Sequence, residues 1–148
     1  MADVTIIQAD VEHIEFIAPL FDGYRQFYGQ PSDTARARRF VLERITNGES
    51  VIFLAFDGAV PIGFTQLYPS FSSVSMKRLW ILNDLFVLPS GRKLGIGAAL
   101  LERAGQFAVE TNAKGLVLET ASDNPAQKLY ERLGWKRDEA FYHYFLNI

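Results

Sequence analysis

The fold of this chain is decided by the stretch Arg92-Lys93-Leu94-Gly95-Ile96-Gly97-Ala98. It follows a strand-like apolar run at 85–88 that Pro89 interrupts, and it opens a segment with helical periodicity. Glycine allows the backbone to approach a ligand closely, and the free N–H groups of a first helical turn attract negative charge. The stretch therefore predicts a strand-to-helix turn that holds an anion such as a pyrophosphate.

Outward from this turn, the hydrophobic pattern predicts alternating strands and helices. The predicted elements are strands at 4–8, 51–56, 61–68, 78–88 and 115–120, helices capped by Asp10 and Asp33, helices at 94–112 and 125–133, a loop at 69–75, and two final strands within 135–148. The strand–helix–strand unit in the second half needs a crossover, which implies a parallel strand pair. We therefore expect one α/β domain with a mixed sheet, spanning residues 1–148.

Composition excludes several classes of function. The chain has 148 residues, of which 49% are hydrophobic and 22% charged, as in an ordinary globular domain. A net charge of −2 predicts no general attraction to nucleic acid. There is no cysteine, and His13 and His143 form no ligand motif, so we expect no metal. No apolar run reaches membrane-spanning length and no signal-peptide pattern is present, which predicts a cytoplasmic protein without a membrane.

A second motif lies downstream of the turn. It consists of Asp123-Asn124-Pro125-Ala126 followed by Leu129-Tyr130-Glu131-Arg132-Leu133-Gly134-Trp135. Together with the turn at 92–98 and the strand at 83–87, this order of motifs resembles the GNAT superfamily of N-acetyltransferases, and the order of elements agrees over the whole chain. The resemblance implies a sheet of about seven mostly antiparallel strands, with a central, splayed parallel pair and four helices.

The resemblance also implies acetyl-coenzyme A as cosubstrate. The pantetheine arm would bind the backbone of Leu85, Phe86 and Val87, while the pyrophosphate would bind the cradle formed by Arg92, Lys93, Leu94, Gly95, Ile96, Gly97 and Ala98. The second motif would add Asn124 and Ala126 as cofactor contacts, although the family's Asn more often stands at the position of Asp123. Tyr130 matches the tyrosine that often serves as general acid in the family.

There are three candidates for the group that removes the proton from the amine. A lysine-like amine has a pKa near 10.4, so a proton acceptor is useful at neutral pH. Relatives that acetylate polyamines often carry Glu-Asp where this chain has Asn83-Asp84. Strand alternation puts these two side chains on opposite faces, so only one can face the acceptor. The candidates are Asp84, Glu119 and a water relay without a single base.

Aromatic residues indicate two further surfaces. Tyr24 and Tyr28 lie at the end of the first helix, which borders the acceptor site in the family, and with Asn83 they are candidates to bind an ammonium group through cation–π attraction. The final strand carries Phe141-Tyr142-His143-Tyr144-Phe145, more rings than one face of a small domain needs. This run predicts a homodimer interface.

The leading hypothesis is an enzyme that transfers acetyl from acetyl-coenzyme A to a primary amine by direct attack in a ternary complex. A small cationic or polyamine-like amine is the first acceptor, and a protein lysine, a protein N-terminus or an aminoglycoside is the alternative. A non-catalytic acyl-coenzyme A sensor would keep the turn at 92–98 without the chemistry. A nucleotide-binding module that uses the same loop is the third hypothesis.

Overall fold

The computed structural model describes residues 3–148. Its elements are β1 (Val4–Gln8), α1 (Ile14–Phe27), α2 (Thr34–Thr46), β2 (Val51–Asp57), β3 (Val60–Ser72), β4 (Lys77–Val87), α3 (Ile96–Glu110), β5 (Leu116–Val117) and α4 (Gln127–Arg132). The strands form one sheet in the order β1-β2-β3-β4-β5. Neighbours are antiparallel except β4 and β5, which are parallel. The mixed α/β fold and its crossover are therefore confirmed.

The sheet separates two apolar clusters. Helices α1 and α2 cover one face, where Ile17, Val41 and Leu54 are among the fully buried residues. Helix α3 covers the opposite face, where Leu100 and Ala104 pack against the strands. Helices on both faces bury the middle strands of the sheet.

Local capping signals place the first helices correctly. The Asp10 side chain accepts the N–H of Val11 and caps a short 3-10 turn that leads into α1. The Asp33 side chain accepts the N–H of Arg36 at 3.1 Å and caps α2. The cap predicted at Asp33 is confirmed, whereas Asp10 caps the 3-10 turn and α1 itself begins after His13 without a side-chain cap. In both places a carboxylate satisfies an N–H group that a helix start leaves free.

The predicted loop at 69–75 is wrong in part. Strand β3 continues to Ser72, which pairs with Lys77, and only residues 73–76 form the turn. Pro69 suggested that the strand ended. Beyond Leu67, however, β3 pairs with β4 alone, and an open edge is where a sheet tolerates proline.

The expected seven strands are also wrong in number, because five are present in the described chain. Residues 135–148 form no strand, and none of residues 136–148 makes a backbone–backbone hydrogen bond within residues 3–148. Strand β5 covers two residues rather than 115–120, and the parallel pair lies at the sheet edge rather than at its centre. A strand needs a pairing partner, which alternation and β propensity do not supply.

One glycine sets the distance between β3 and β4. A Cβ on Gly63 would lie 2.8 Å from the carbonyl oxygen of Phe86, whereas a Cβ on Gly115 would meet nothing within 4 Å. We expect Gly63→Ala to lower the free energy of unfolding by about 1–3 kcal/mol, because a backbone atom cannot yield as a side chain can. Urea denaturation followed by circular dichroism measures this.

Gly115→Ala is the matched control and should stay within about 0.5 kcal/mol of the parent. Equal effects of the two substitutions would contradict the close approach at Gly63.

Candidate active site

The pairing of β4 with β5 stops early and leaves a gap in the ladder between the two strands. The two strands pair only at Trp80–Leu116 and Ile81–Val117, and the described chain offers no further partner to that edge of β4. A β-bulge follows at once, because Gln66 pairs with Asp84 and Leu67 with Leu82, which leaves Asn83 unpaired. A bulge bends its strand and increases its twist. The wall of the gap on β4 is therefore the segment 85–87, where the pantetheine arm was expected.

The start of α3 lies at the mouth of this gap. Gly95 precedes the helix with φ 75°, in the left-handed region, and provides no side-chain cap. The first helical hydrogen bond runs from the N–H of Ala99 to the carbonyl oxygen of Gly95 at 3.0 Å. The N–H groups of residues 96–98 consequently have no helical partner and can receive an anion.

The other residues of the cradle contribute in different ways. Arg92 Nε donates to the carbonyl oxygen of Val87 at 3.2 Å, which ties the turn to the end of β4. The N–H of Leu94 donates to the carbonyl oxygen of Gly91, so it is already used. Ile96 is buried in the core, so only its backbone faces the mouth. Lys93 is exposed and has a positive φ of 73°.

The two glycines of the cradle meet different requirements. A Cβ on Gly95 would touch nothing within 4 Å, so its conformation alone calls for glycine. A Cβ on Gly97 would lie 3.4 Å from Leu129 Cδ2 of α4. The small residue at 97 therefore lets α4 pack closely on the start of α3.

The second motif shapes the start of α4. Asn124 Oδ1 accepts the N–H of Ala126 at 2.9 Å, and the Asn124 carbonyl oxygen accepts Gln127 Nε2 at 3.1 Å. The N–H of Ala126 is therefore already bonded within the loop. The amide nitrogen Nδ2 of the Asn124 side chain is left as a hydrogen-bond donor. Cofactor contacts by Asn124 and Ala126 stay predictions.

Tyr130, the candidate general acid, lies on α4. Its half-buried ring is 6.1 Å from that of Trp135. Burial raises the pKa of the Tyr130 phenol, and the nearby Tyr28 phenol raises it further. A phenol is already protonated at neutral pH with its ordinary pKa near 10, so the rise leaves the proton in place and makes its transfer harder.

On the α1 face of the sheet, the expected acceptor residues come together. Tyr24 Oη donates to the carbonyl oxygen of Asn83 at 3.4 Å. The Tyr24 ring lies 5.0 Å from the Tyr28 ring and 6.3 Å from the Phe86 ring. These residues from the helix end and from β4 therefore lie close together, and their role in binding the acceptor stays a prediction.

Asp84 is the buried charge of this face, with 3% of its surface exposed. Gln66 Nε2 donates to its Oδ2 at 2.5 Å, and Asn83 Nδ2 donates to its Oδ1 at 2.9 Å. Burial raises the pKa of Asp84, and the hydrogen bonds from Gln66, Tyr24 and Asn83 oppose that rise without cancelling it. The contact between Asn83 and Asp84 corrects the expectation of opposite faces, because the bulge breaks strict alternation.

Three residues of this cluster were missed from the sequence: Ser50, Gln66 and Tyr68. Ser50 Oγ donates to Gln66 Oε1 at 2.7 Å, and Gln66 Nε2 also donates to Tyr68 Oη at 3.1 Å. Burial, followed by the charge of Asp84, raises the pKa of Tyr68 to about 12. The available signal was Gln66 itself, a polar residue within the apolar run of β3, since a buried amide needs partners.

Glu119 lies apart from this cluster. Its side chain is 84% exposed, and Glu119 Oε1 is 3.6 Å from His143 Nδ1. It follows β5 rather than standing within it. The structure therefore supports Asp84 more strongly than Glu119 as the base, and the role of Glu119 stays a prediction.

Within residues 3–148, no cluster of three or more His, Asp or Glu side chains could hold a metal ion. None of the helices in that range has the length and apolar character needed to cross a membrane.

Comparison with known proteins gives consistent results. Residues 17–135 match the model of the acetyltransferase (GNAT) family. The chain is 49% identical over 146 residues to YhfO of Bacillus subtilis (strain 168), an uncharacterized N-acetyltransferase, covering 98% of each chain. A crystal structure of a probable acetyltransferase is 45% identical and superposes with a TM-score of 0.92 over 97% of each chain.

A further relative carries a more specific name. An N-alpha-acetyltransferase of Sulfurisphaera tokodaii (strain DSM 16993 / JCM 10545 / NBRC 100140 / 7) is 32% identical over 115 residues, which are 72% of this chain and 68% of the relative. The family match extends over both sequence motifs and over the residues between them. The chain therefore belongs to the GNAT family and is an acetyl-coenzyme A-dependent N-acetyltransferase.

Proposed function

We propose that this enzyme acetylates a small cationic or polyamine-like primary amine by direct attack in a ternary complex. The observation that carries the proposal is the buried carboxyl of Asp84 beside the aromatic Tyr24 and Tyr28. A carboxylate with aromatic walls attracts an ammonium group both by charge and by cation–π contact. The proposal includes a single catalytic domain over residues 1–148, a homodimer, and a cytoplasmic location where acetyl-coenzyme A is available.

Asp84 is the proposed base. Its pKa is raised by burial, and a base works best when its pKa approaches the working pH. Gln66 and Asn83 each hold one carboxylate oxygen, which fixes the direction of the remaining lone pairs. An amine that loses its proton to Asp84 becomes the nucleophile.

Tyr130 is the proposed acid. The Tyr130 phenol, half-buried on α4, carries a proton at neutral pH at its ordinary pKa, and we infer that it faces the gap between β4 and β5. A backbone N–H within the segment 85–87 would polarise the carbonyl that the amine attacks. The proposed acid and base then lie on different elements, Tyr130 on α4 and Asp84 on β4.

The residues present fit acetyl-coenzyme A. Residues 88–95 connect the unpaired edge of β4 to the free N–H groups at the start of α3. An extended ligand can therefore bind both parts. The cosubstrate supplies the thioester and the departing thiolate. The chain orients it through residues 92–98 and 85–87 and gives the proton of Tyr130 to the sulfur.

A protein N-terminus is the second candidate acceptor. The relative from Sulfurisphaera tokodaii, named an N-alpha-acetyltransferase, favours it. An α-amine has a pKa near 8 and so needs less help from a base than a lysine-like amine does. Protein lysines and aminoglycosides remain alternatives that the same assay covers.

An amine panel tests the acceptor. Polyamines, amino sugars and short peptides with free or blocked N-termini would be compared by thiol release from acetyl-coenzyme A. We expect the highest kcat/KM for a small diamine or polyamine. Preference for a peptide with a free α-amine, lost when that amine is blocked, would contradict the small-amine proposal and favour the second candidate.

Replacing Tyr130 tests the acid. We expect Tyr130→Phe to lower kcat about 10²-fold or more with little change in acetyl-coenzyme A affinity, because only the proton donor is removed. Steady-state thiol release and isothermal titration measure the two quantities. Val74→Ala, at a 95% exposed position in the β3–β4 turn, is the control; equal loss in both variants would rule out a specific role for Tyr130.

Asp84→Asn tests the base through two pH profiles. A carboxyl whose folded pKa is raised contributes stability that is present below its unfolded pKa and is lost as pH rises through the folded pKa. The stability of the variant relative to the parent should therefore increase as pH rises from the ordinary carboxyl pKa, near 4, through the raised pKa of Asp84. At the same time kcat/KM should fall about 10²–10⁴-fold and lose its acidic limb.

Glu119→Gln is the control and should leave both profiles unchanged. If Asp84→Asn keeps full kcat/KM, Asp84 is structural and a water relay or Glu119 supplies the base. Melting temperatures from differential scanning calorimetry give the first profile, and thiol release gives the second.

A further inference from the structure

The carboxyl of Asp84 lies too deep for a substrate to touch it directly. Asp84 is 3% exposed, and each of its oxygens already accepts a hydrogen bond, Oδ2 from Gln66 and Oδ1 from Asn83. A general base must be within hydrogen-bond reach of the proton that it takes, either directly or through one intervening group. An amine that arrives from solvent therefore needs a proton carrier between its own nitrogen and this carboxylate.

Tyr24 of α1 occupies the position of such a carrier. Its hydroxyl forms a hydrogen bond with the Asp84 carboxyl. The same Oη lies 3.4 Å from the carbonyl oxygen of Asn83, which is long for a hydrogen bond between two oxygens. Tyr24 is only half-buried, whereas Asp84 is buried. The phenol can therefore contact the carboxylate on one side and an arriving amine on the other.

The rings around Tyr24 lead towards the segment that would hold the thioester. The Phe86 ring, from the segment 85–87, lies 6.3 Å from the Tyr24 ring at an angle of 80°. A Cβ on Gly23 would lie 3.3 Å from the Phe86 ring, so α1 and β4 approach each other closely here. Tyr24 consequently lies between the buried carboxyl and the part of β4 that is open to an extended ligand.

We propose that the Tyr24 hydroxyl relays the proton of the acceptor amine to Asp84, an inference that rests on Asp84 as the base of the proposed function. An N–H bond of the ammonium group breaks and an O–H bond forms at Tyr24 Oη, while the hydrogen that Tyr24 held moves to a carboxylate oxygen of Asp84. The net change turns an ammonium and a carboxylate into a neutral amine and a carboxylic acid. Tyr24 ends as it began, and the nitrogen lone pair is free to attack the thioester carbonyl.

The environment of Tyr24 suits a relay and opposes a role as an independent base. Burial, followed by the negative charge of Asp84, raises the pKa of the Tyr24 phenol. A tyrosinate is therefore even less accessible here than the ordinary phenol pKa near 10 implies. A relay never forms a tyrosinate, because Tyr24 gains one proton as it gives up another.

Tyr68 of β3 is the other phenol near Asp84, and it lies on the opposite side. It pairs with Ile81, which precedes Asp84 on β4, whereas the segment 85–87 follows Asp84. The charge of Asp84 contributes to the raised pKa of Tyr68, and the Arg44 guanidinium of α2 opposes that rise. Arg44 is itself paired with two carboxylates, those of Glu43 and Glu49. Tyr68 therefore faces the charged end of the cluster, and Tyr24 faces the site.

Tyr24→Phe tests the relay, because it removes the hydroxyl and keeps the aromatic ring. We expect kcat to fall about 10²-fold at all pH values, including the plateau, with the KM for the amine and the affinity for acetyl-coenzyme A close to those of the parent. Thiol release with the panel amine that gives the parent its highest kcat/KM measures this. Ser73→Ala, which removes an exposed hydroxyl in the β3–β4 turn, should leave kcat unchanged.

Two results of that experiment would overturn the relay. An unchanged kcat would mean that Tyr24 serves only as an aromatic wall. A Tyr24 that merely stabilises the Asp84 carboxylate would give a different profile, because loss of its hydrogen bond raises the pKa of Asp84. The acidic limb of kcat/KM would then move to higher pH while the plateau stayed at the parent value.

The double variant Tyr24→Phe/Asp84→Asn separates the relay from the identity of the base. Groups that act as one unit have non-additive effects, so we expect the double variant to lose no more kcat than Asp84→Asn alone. Losses that multiply would show independent roles and contradict the relay. If Asp84→Asn loses activity and Tyr24→Phe does not, the relay alone fails. If Asp84→Asn retains full kcat/KM, the assignment of the base fails and the relay fails with it.

Discussion

The parallel pairing of β4 with β5 ends after two residues, and the rest of the site depends on that interruption. Because the bulge at Asn83 turns β4 away, the strand keeps its partner β3 on one side and leaves its other edge free. The free edge can then act as a binding surface for an extended ligand. The start of α3 lies at one end of it and α4 beside it, so three elements share one opening.

The same interruption explains the uneven packing of the molecule. Strands β1 to β4 form the long ladders of the sheet, and the fully buried residues lie in the part of the chain from α1 to α3, before Val109. Strand β5 is held by two residue pairs. A sheet that opens to admit a ligand loses cross-strand contacts at the opening, and stability must then come from elsewhere.

Buried polar groups on the α1 face of the sheet also lower the stability of the fold. Asp84 is buried with an unfavourable effect on its own ionisation, and Gln66, a buried amide, is used to orient it. A core built for stability alone would place apolar residues there. Active sites commonly retain such groups at the expense of stability, and the Ser50–Gln66–Asp84 chain has the form expected of a site.

Local signals in the sequence predicted local structure well. The bounds of β1, the caps Asp10 and Asp33, and the cradle at 92–98 follow from residues that interact with their own neighbours. Features that depend on pairing between residues far apart in the sequence were not predicted. The bulge at Asn83 has no period-2 signature, β5 was drawn too long, and the strands expected in 135–148 have no partner within the described chain. For the candidate site, Tyr24, Tyr28 and Asp84 were chosen by type and position and stay predictions, whereas Gln66 was missed because its contacts depend on the residues that lie opposite it.

The two glycines of the cradle have different evolutionary freedom. Gly95 is fixed by its left-handed backbone, so relatives should keep glycine there whatever surrounds it. Gly97 is limited only by the space that Leu129 leaves, and at 3.4 Å a methyl group still fits. Alanine is therefore an admissible residue at 97, and anything larger requires a smaller residue at 129. Two positions far apart in sequence should consequently change together across the family, one in the cofactor turn and one on the helix that carries Tyr130.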